Sequence, residues 1–251
     1  MNPAFGGRPS GAFAGKRILI TGAGSGLGRA TARLLRARGA ELILLGRRLG
    51  PLQETAEEAF HLALDHTDDG AVGRFAADCP ALDGLFLGAG SLVPGSVAST
   101  PIQAFDAMLA ANLRGPWSLA HHLGSRLNPG ASVVLVGSNI GLRAIPDSAA
   151  YSVAKAGLHM LAKVLALEWA PRQIRCNAIA PGPVHTAMVD ARLALSADPV
   201  GDLARLAAVN PLGRLGTEAD VAALAAHLLG DESGWMTGCV LPLDGGADAV
   251  F

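Results

Sequence analysis

RILITGAGSGLGRATARLL, residues 17–35, decides the fold. Five β-prone residues lead into four glycines (22, 24, 26 and 28), and an Ala/Leu/Arg-rich stretch of helical character follows. Strand, glycine turn and helix in this order let the backbone approach a dinucleotide pyrophosphate, and the helix N-terminus offers unpaired N–H groups and a favourable dipole. The same turn also occurs as a plain strand-to-helix connection, so its reading depends on what surrounds it.

The surroundings repeat the alternation. Apolar runs at 41–46 (ELILLG), 61–65 (HLALD), 84–90 (GLFLGAG), 132–137 (SVVLVG), 174–182 (IRCNAIAPG) and 239–246 (CVLPLDGG) are separated by helical patterns. Strands alternating with helices require crossovers and a parallel sheet, and continuous apolar runs suit strands covered on both faces. The expectation is an α/β chain: a single-domain, Rossmann-type, doubly wound parallel sheet with helices on both faces over 16–251, after a flexible leader at 1–15. Helices near 49–60 and 69–78 look trimmed. The segment 183–216 lacks a strand signal and is expected to form helices over a pocket.

The 251 residues carry a net charge of −1 with no block of like charges, which excludes the electrostatic footprint of a nucleic-acid or anionic-membrane binder. Mean hydropathy is +0.35, yet charges such as Lys163 and Glu168 interrupt the richest apolar stretch before membrane-spanning length. The start has no signal-peptide h-region, so the protein is expected in the cytoplasm with small-molecule partners. Cys79, Cys176 and Cys239 are far apart and lack metal-ligand spacing, so no metal site is expected.

Tyr151 is the sole tyrosine and stands four residues before Lys155, one of three lysines. On a helix this spacing puts both on one face, where an ammonium would stabilise a phenolate and lower its pKa toward the working range. The pair lies in 149–170, a helix apolar around most of its circumference and marked by a polar stripe of Tyr151, Lys155, His159 and Lys163. One side of such a helix can pack on the sheet and another on a neighbouring subunit, which hints at an oligomer. His159 and His185 are expected in loop or interface positions.

After the second strand, where dinucleotide folds commonly carry a ribose-binding carboxylate, the chain has Gly46, Arg47 and Arg48. Guanidinium groups in place of a carboxylate point to a 2′-phosphate and hence to NADP(H). Two merely solvated arginines would leave NAD(H) possible.

Taken in order, TGAGSGLG (21–28), the Asn of AANLRG (110–115), the Ser of VGSNIG (136–141), YSVAK (151–155) and IAPGPVHT (179–186) resemble the short-chain dehydrogenase/reductase family, over roughly 16–246. The resemblance implies an oxidoreductase interconverting a carbonyl and a secondary alcohol by hydride transfer, with Tyr151 as acid/base. By the same likeness Ser138 would bond the reacting oxygen, and Lys155 would also hold the nicotinamide ribose. Asn112 would support a water relay to Lys155. Gly22, Gly26 and Gly28 would meet the pyrophosphate, with Ser25 and Leu27 in the same cofactor-binding turn. Asp65, ending the third strand, would meet the adenine, and Gly90, Pro181, Gly182 and Val184 would line the cofactor. Thr186 would anchor the carboxamide. A homotetramer or homodimer is implied, with an apolar substrate.

The chain departs from the family at Leu87-Gly88-Ala89-Gly90, where Asn-Asn-Ala-Gly is usual, so the asparagine contacts that tie this strand to its neighbours are missing. Two other classes stay open. A non-catalytic dinucleotide-sensing module would have no need of Asn112, Ser138, Tyr151 and Lys155 together. An epimerase or dehydratase generally needs a sizeable C-terminal domain, and only 65 residues follow Thr186.

Overall fold

The structure, a computed structural model, describes residues 11–194 and 196–249. Seven parallel strands form one sheet: β1 (Arg17–Thr21), β2 (Glu41–Gly46), β3 (Phe60–Ala63), β4 (Leu82–Leu87), β5 (Leu127–Val136), β6 (Arg175–Pro181) and β7 (Val240–Leu243), in the order β3-β2-β1-β4-β5-β6-β7. The chain winds outward from β1 to β3, then crosses back to β4 and winds the other way. The reversal between β1 and β4 opens a crevice at their carboxyl ends, the place where such sheets bind ligands.

Two apolar layers cover the sheet. On one face α1 (Gly26–Ala37) and α2 (Leu49–Gln53) bury Ala32, Leu35 and Leu52 against Ile18, Ile20, Leu42 and Leu44. On the other, α3 (Asp69–Asp78), α5 (Gly115–Leu123) and the long α6 (Ala149–Trp169) pack against Leu19, Ile43, Leu85, Val133 and Leu135, and α4 (Ile102–Leu109) packs on α6 through Met108. Alternate residues of one strand thus enter opposite layers, which is why these strands read as unbroken apolar runs. The expected late helices are α7 (Ala187–Leu193) and α8 (Pro199–Ala208), and α9 (Glu218–Leu229) then joins α1 on the first face. A capping box starts α9: Thr217 accepts the Asp220 N–H and the Asp220 carboxylate accepts the Thr217 N–H.

Two expectations need correction. Residues 1–10 of the leader lie outside the described residues, but 11–15 belong to the folded body: Phe13 is buried among α1, α9 and β1, and its N–H donates to Arg38 O. The third strand ends at Ala63, before Asp65, because its partner β2 ends at Gly46, the residue paired with Ala63. Most of the polar stripe on α6 is turned inward. Lys155 and His159 are buried against the β5 end, Tyr151 is half-buried, and only Lys163 is exposed.

Candidate active site

The glycine turn is built for close approach. Gly22 and Gly26 have φ of +68° and +53°, and a Cβ on Gly28 would sit 2.4 Å from Gly22 O. The following helix α1 starts without a side-chain cap and without an acidic residue in its first turn, so its leading N–H groups keep their capacity for an anion. The residues present therefore fit a dinucleotide pyrophosphate.

The missing asparagines after β4 are replaced by a contact that the sequence does not announce. Thr21 Oγ1 accepts the N–H of Gly88 at 3.0 Å and of Ala89 at 3.1 Å, tying the β4 exit to β1 directly. A Cβ on Gly88 would meet the Phe86 ring at 2.4 Å, which explains the glycine.

The opposite wall comes from β5, α6 and the helix leading from α4. Lys155 is 4% exposed, and its Nζ donates to Val136 O at 2.7 Å while lying 5.5 Å from the centre of the Tyr151 ring. Burial brings its pKa down to about 8. Burial also pushes the Tyr151 phenol up, and the nearby Ser138 hydroxyl pulls the other way. The expectation that the ammonium dominates and lowers the phenol therefore needs correction: desolvation is the larger influence here, a quantity the sequence does not display. Ser138 is buried at the β5 exit, where its Oγ accepts the Ile140 N–H at 3.3 Å. Asn112 is fully buried in a single π-helical turn, Ala110–Arg114, between α4 and α5. Its Nδ2 donates to Ser91 O at 2.8 Å and Met108 O at 3.1 Å. A Cβ on Gly90 would fall 2.5 Å from Asn112 Oδ1 and 3.7 Å from Lys155 Nζ, so these three positions converge.

At the far end Arg47 and Arg48 are exposed and make no hydrogen bond or ion pair among the described residues. Asp65 is exposed beside Arg47, and its carboxylate accepts the Thr67 N–H and hydroxyl at 2.9 and 2.8 Å, which hold its pKa below the usual range.

One cleft of about 650 Å³ is lined by all the candidate catalytic and cofactor-binding residues: Gly22, Ser25, Gly26, Leu27, Gly28, Arg47, Arg48, Asp65, Gly90, Asn112, Ser138, Tyr151, Lys155, Pro181, Gly182, Val184 and Thr186. Leu92, Ile140, Ile145, Val189, Leu206 and Val209 add an apolar stretch beyond Tyr151. A larger cavity, about 840 Å³, lies under the edge strand β3 between Ile43, Leu62 and Phe75. It shares Asp65 and Leu64 with the cleft, but Asn112, Ser138, Tyr151 and Lys155 line only the smaller one, so the chemistry is assigned there.

The histidines divide. His185 is an exposed loop residue whose Nε2 meets Asp190 Oδ1 at 2.7 Å, as expected. His159 belongs to neither a loop nor a free surface: it is 5% exposed behind Ser138. Cys79 and Cys176 are buried, with thiols pushed up to about 11 and about 12, so neither offers a nucleophile. No metal-binding cluster occurs among the described residues.

The family model described as enoyl-(acyl carrier protein) reductase matches residues 22–248. A short chain dehydrogenase family protein from Francisella tularensis superposes with a TM-score of 0.87 at 29% identity, covering 94% of this chain and 99% of that one. The chain belongs to the short-chain dehydrogenase/reductase family. Among relatives in that family, cis-4-hydroxycyclohexanecarboxylate dehydrogenase of Sinomonas cyclohexanicum is 34% identical over 95% of this chain and 99% of that protein. Levodione reductase of Leifsonia aquatica is 34% identical over 97% and 98%. Membership makes the chain an oxidoreductase that uses a nicotinamide dinucleotide and a small-molecule substrate. No helix among the described residues is long and apolar enough to cross a membrane.

Proposed function

We propose that the chain is an NADP(H)-dependent oxidoreductase interconverting an apolar ketone and its secondary alcohol, with Tyr151 as acid/base. The observation that carries this reading is the convergence of Ser138, Tyr151, Lys155 and Asn112 on the wall facing the glycine turn, inside one cleft. The dinucleotide, when bound, supplies or accepts the hydride. In reduction the neutral Tyr151 phenol donates its proton to the carbonyl oxygen, and Ser138 holds that oxygen with a hydrogen bond. Lys155 stays charged below about pH 8, favours the phenolate left behind, and holds the nicotinamide ribose. Asn112 supports the water relay that returns a proton to Lys155. Gly22, Ser25, Gly26, Leu27, Gly28 and Gly90 cradle the phosphates and the ribose beside them, Asp65 meets the adenine, and Pro181, Gly182, Val184 and Thr186 hold the carboxamide end. Arg47 and Arg48 pair with the 2′-phosphate.

The same reading makes 16–251 one catalytic domain. Exposed Val153, Met160 and Leu167 recur every seven residues along α6, an apolar stripe that suits packing in a homodimer or homotetramer. Unpaired cysteines fit a reducing compartment, the cytoplasm. Substrates of the relatives suggest where to begin. NADPH oxidation is measured against a carbonyl panel that includes levodione, with cis-4-hydroxycyclohexanecarboxylate and NADP in the oxidative direction. Turnover that Tyr151→Phe abolishes supports the reading; turnover retained in that variant sinks it.

A further inference from the structure

We propose that His159 is a positioning residue that holds Ser138 against Tyr151. The role rests on the proposed pairing of Ser138 with Tyr151. His159 lies one turn beyond Lys155 and two beyond Tyr151 on α6, and its ring lies against Gly137 and Ser138 just past the end of β5. Its Nε2 accepts the Ser138 N–H at 3.4 Å. The slot is narrow on both sides of Ser138. A Cβ on Gly137 would fall 2.1 Å from Nε2, and one on Gly141 would fall 2.8 Å from Cε1. Glycine at both positions therefore makes room for the imidazole.

The helix grips the end of β5 at two points, Lys155 on the Val136 carbonyl and His159 on the Ser138 N–H. Because Tyr151 rides on the same helix, these contacts set the distance between its phenol and the Ser138 hydroxyl. The Gly137 N–H, bonded to Ile179 O at 2.7 Å, fixes the segment from the β6 side. An acceptor at Nε2 requires a neutral ring, and the surroundings favour one. Burial, then the charge of Lys155, and least that of Lys163, bring the pKa down to about 4, while the nearby Gly141 backbone opposes them.

A plain packing role would be met by any side chain of similar volume, and this separates the two explanations. Tyr151 is the sole tyrosine, so Cζ-labelled tyrosine gives one NMR resonance that reports the hydrogen bond to its phenol in the whole protein, without substrate. Ser138→Ala should displace that resonance. His159→Leu, which fills the slot without an acceptor, should displace it in the same direction, and His159→Gln, which restores one, should return it toward the wild-type position. A His159→Leu resonance left at the wild-type position while Ser138→Ala moves it would overturn the positioning role and leave the Ser138–Tyr151 pair standing. A resonance that Ser138→Ala leaves unmoved would remove that pair, and both the catalytic reading and the positioning role with it. Should the His159 variants not fold, ¹⁵N spectra of the wild-type imidazole decide: an unprotonated Nε2 at neutral pH supports the role, and a protonated Nε2 overturns it.

Discussion

The two ends of the cleft are built on opposite principles. Around Tyr151 the polar groups are dry: Asn112, Ser138, Lys155 and His159 are each at most 7% exposed and are held by backbone contacts. At the other end Arg47, Arg48 and Asp65 stand in water on short loops after β2 and β3. In a dry site each charge is expensive and each hydrogen bond strong, so geometry does the selecting. In a wet site charges act at a discount, through solvent and salt. Substitutions at the dry end should therefore act on turnover by orders of magnitude, and those at the wet end should shift preference between cofactors.

The hardest test of the dry end is Tyr151→Phe. The ring packs against Met108, Ala150 and Ala154, and phenylalanine keeps those contacts while removing the transferable proton. The expected outcome is a fall in kcat of roughly 10²- to 10⁴-fold, the usual span for a lost general acid, with NADPH affinity and thermal midpoint close to wild type. An equal loss of affinity would mean that the phenol chiefly holds the cofactor.

Lys155→Met should cut turnover as well, weaken NADPH binding and, in the cofactor-free protein, raise stability. The ammonium is buried without a carboxylate partner, and its pKa of about 8 against the ordinary lysine value of 10.5 corresponds to about 3 kcal/mol of destabilisation. Leaving the Val136 carbonyl unpaired returns about 1 kcal/mol of that gain. The sign follows from linkage. Between about pH 8 and 10.5 the unfolded wild-type chain binds the proton and the folded one does not, so wild-type stability rises with pH across that window. The variant should melt above wild type at pH 7, and the gap should close by about pH 10.5. A variant that melts below wild type at pH 7 would show that Lys155 stabilises the fold.

The same contrast governs what the amino-acid sequence reveals by itself. The strands are legible because burial on both faces leaves unbroken apolar runs, and the glycine turn, Tyr151 and Lys155 because their chemistry depends on local spacing. Contacts made across the fold are not legible. Thr21 reaches Gly88 over 67 positions, and nothing near position 21 announces the bond. Phe13 sits in a glycine- and alanine-rich stretch that reads as a loose leader, and only its packing with α1 and α9 makes it core. His159 shows its helical period but not the direction in which the helix turns it. The expected lowering of the Tyr151 pKa fails for the same reason: periodicity brings Lys155 near but says nothing of desolvation, which here weighs more.

The smallest expected effect belongs to the wet end. A 2′-phosphate carries close to two negative charges, and Arg47 and Arg48 are free to meet it by charge-assisted hydrogen bonds worth on the order of 1.5–3 kcal/mol each. Both side chains are exposed, so solvent screening keeps the total near the lower figure. The ratio of kcat/KM for NADPH over NADH should then be roughly ten- to a hundredfold at low salt and shrink as salt is added. Arg47→Ala alone should lower that ratio without changing kcat. Adding Gly46→Asp should reverse it, by offering the ribose hydroxyls an acceptor and repelling the phosphate. The second substitution also crowds its surroundings: a Cβ at position 46 falls 3.2 Å from the end of the buried Leu52 side chain, which must give way by a few tenths of an ångström. The single variant is therefore the cleaner measure of charge, and the double variant of the switch. Both cofactors are compared on wild type and variants with one carbonyl substrate. A wild type that uses NADH as well as NADPH would leave the two arginines as solvated surface residues and confine the selectivity of the cleft to its dry end.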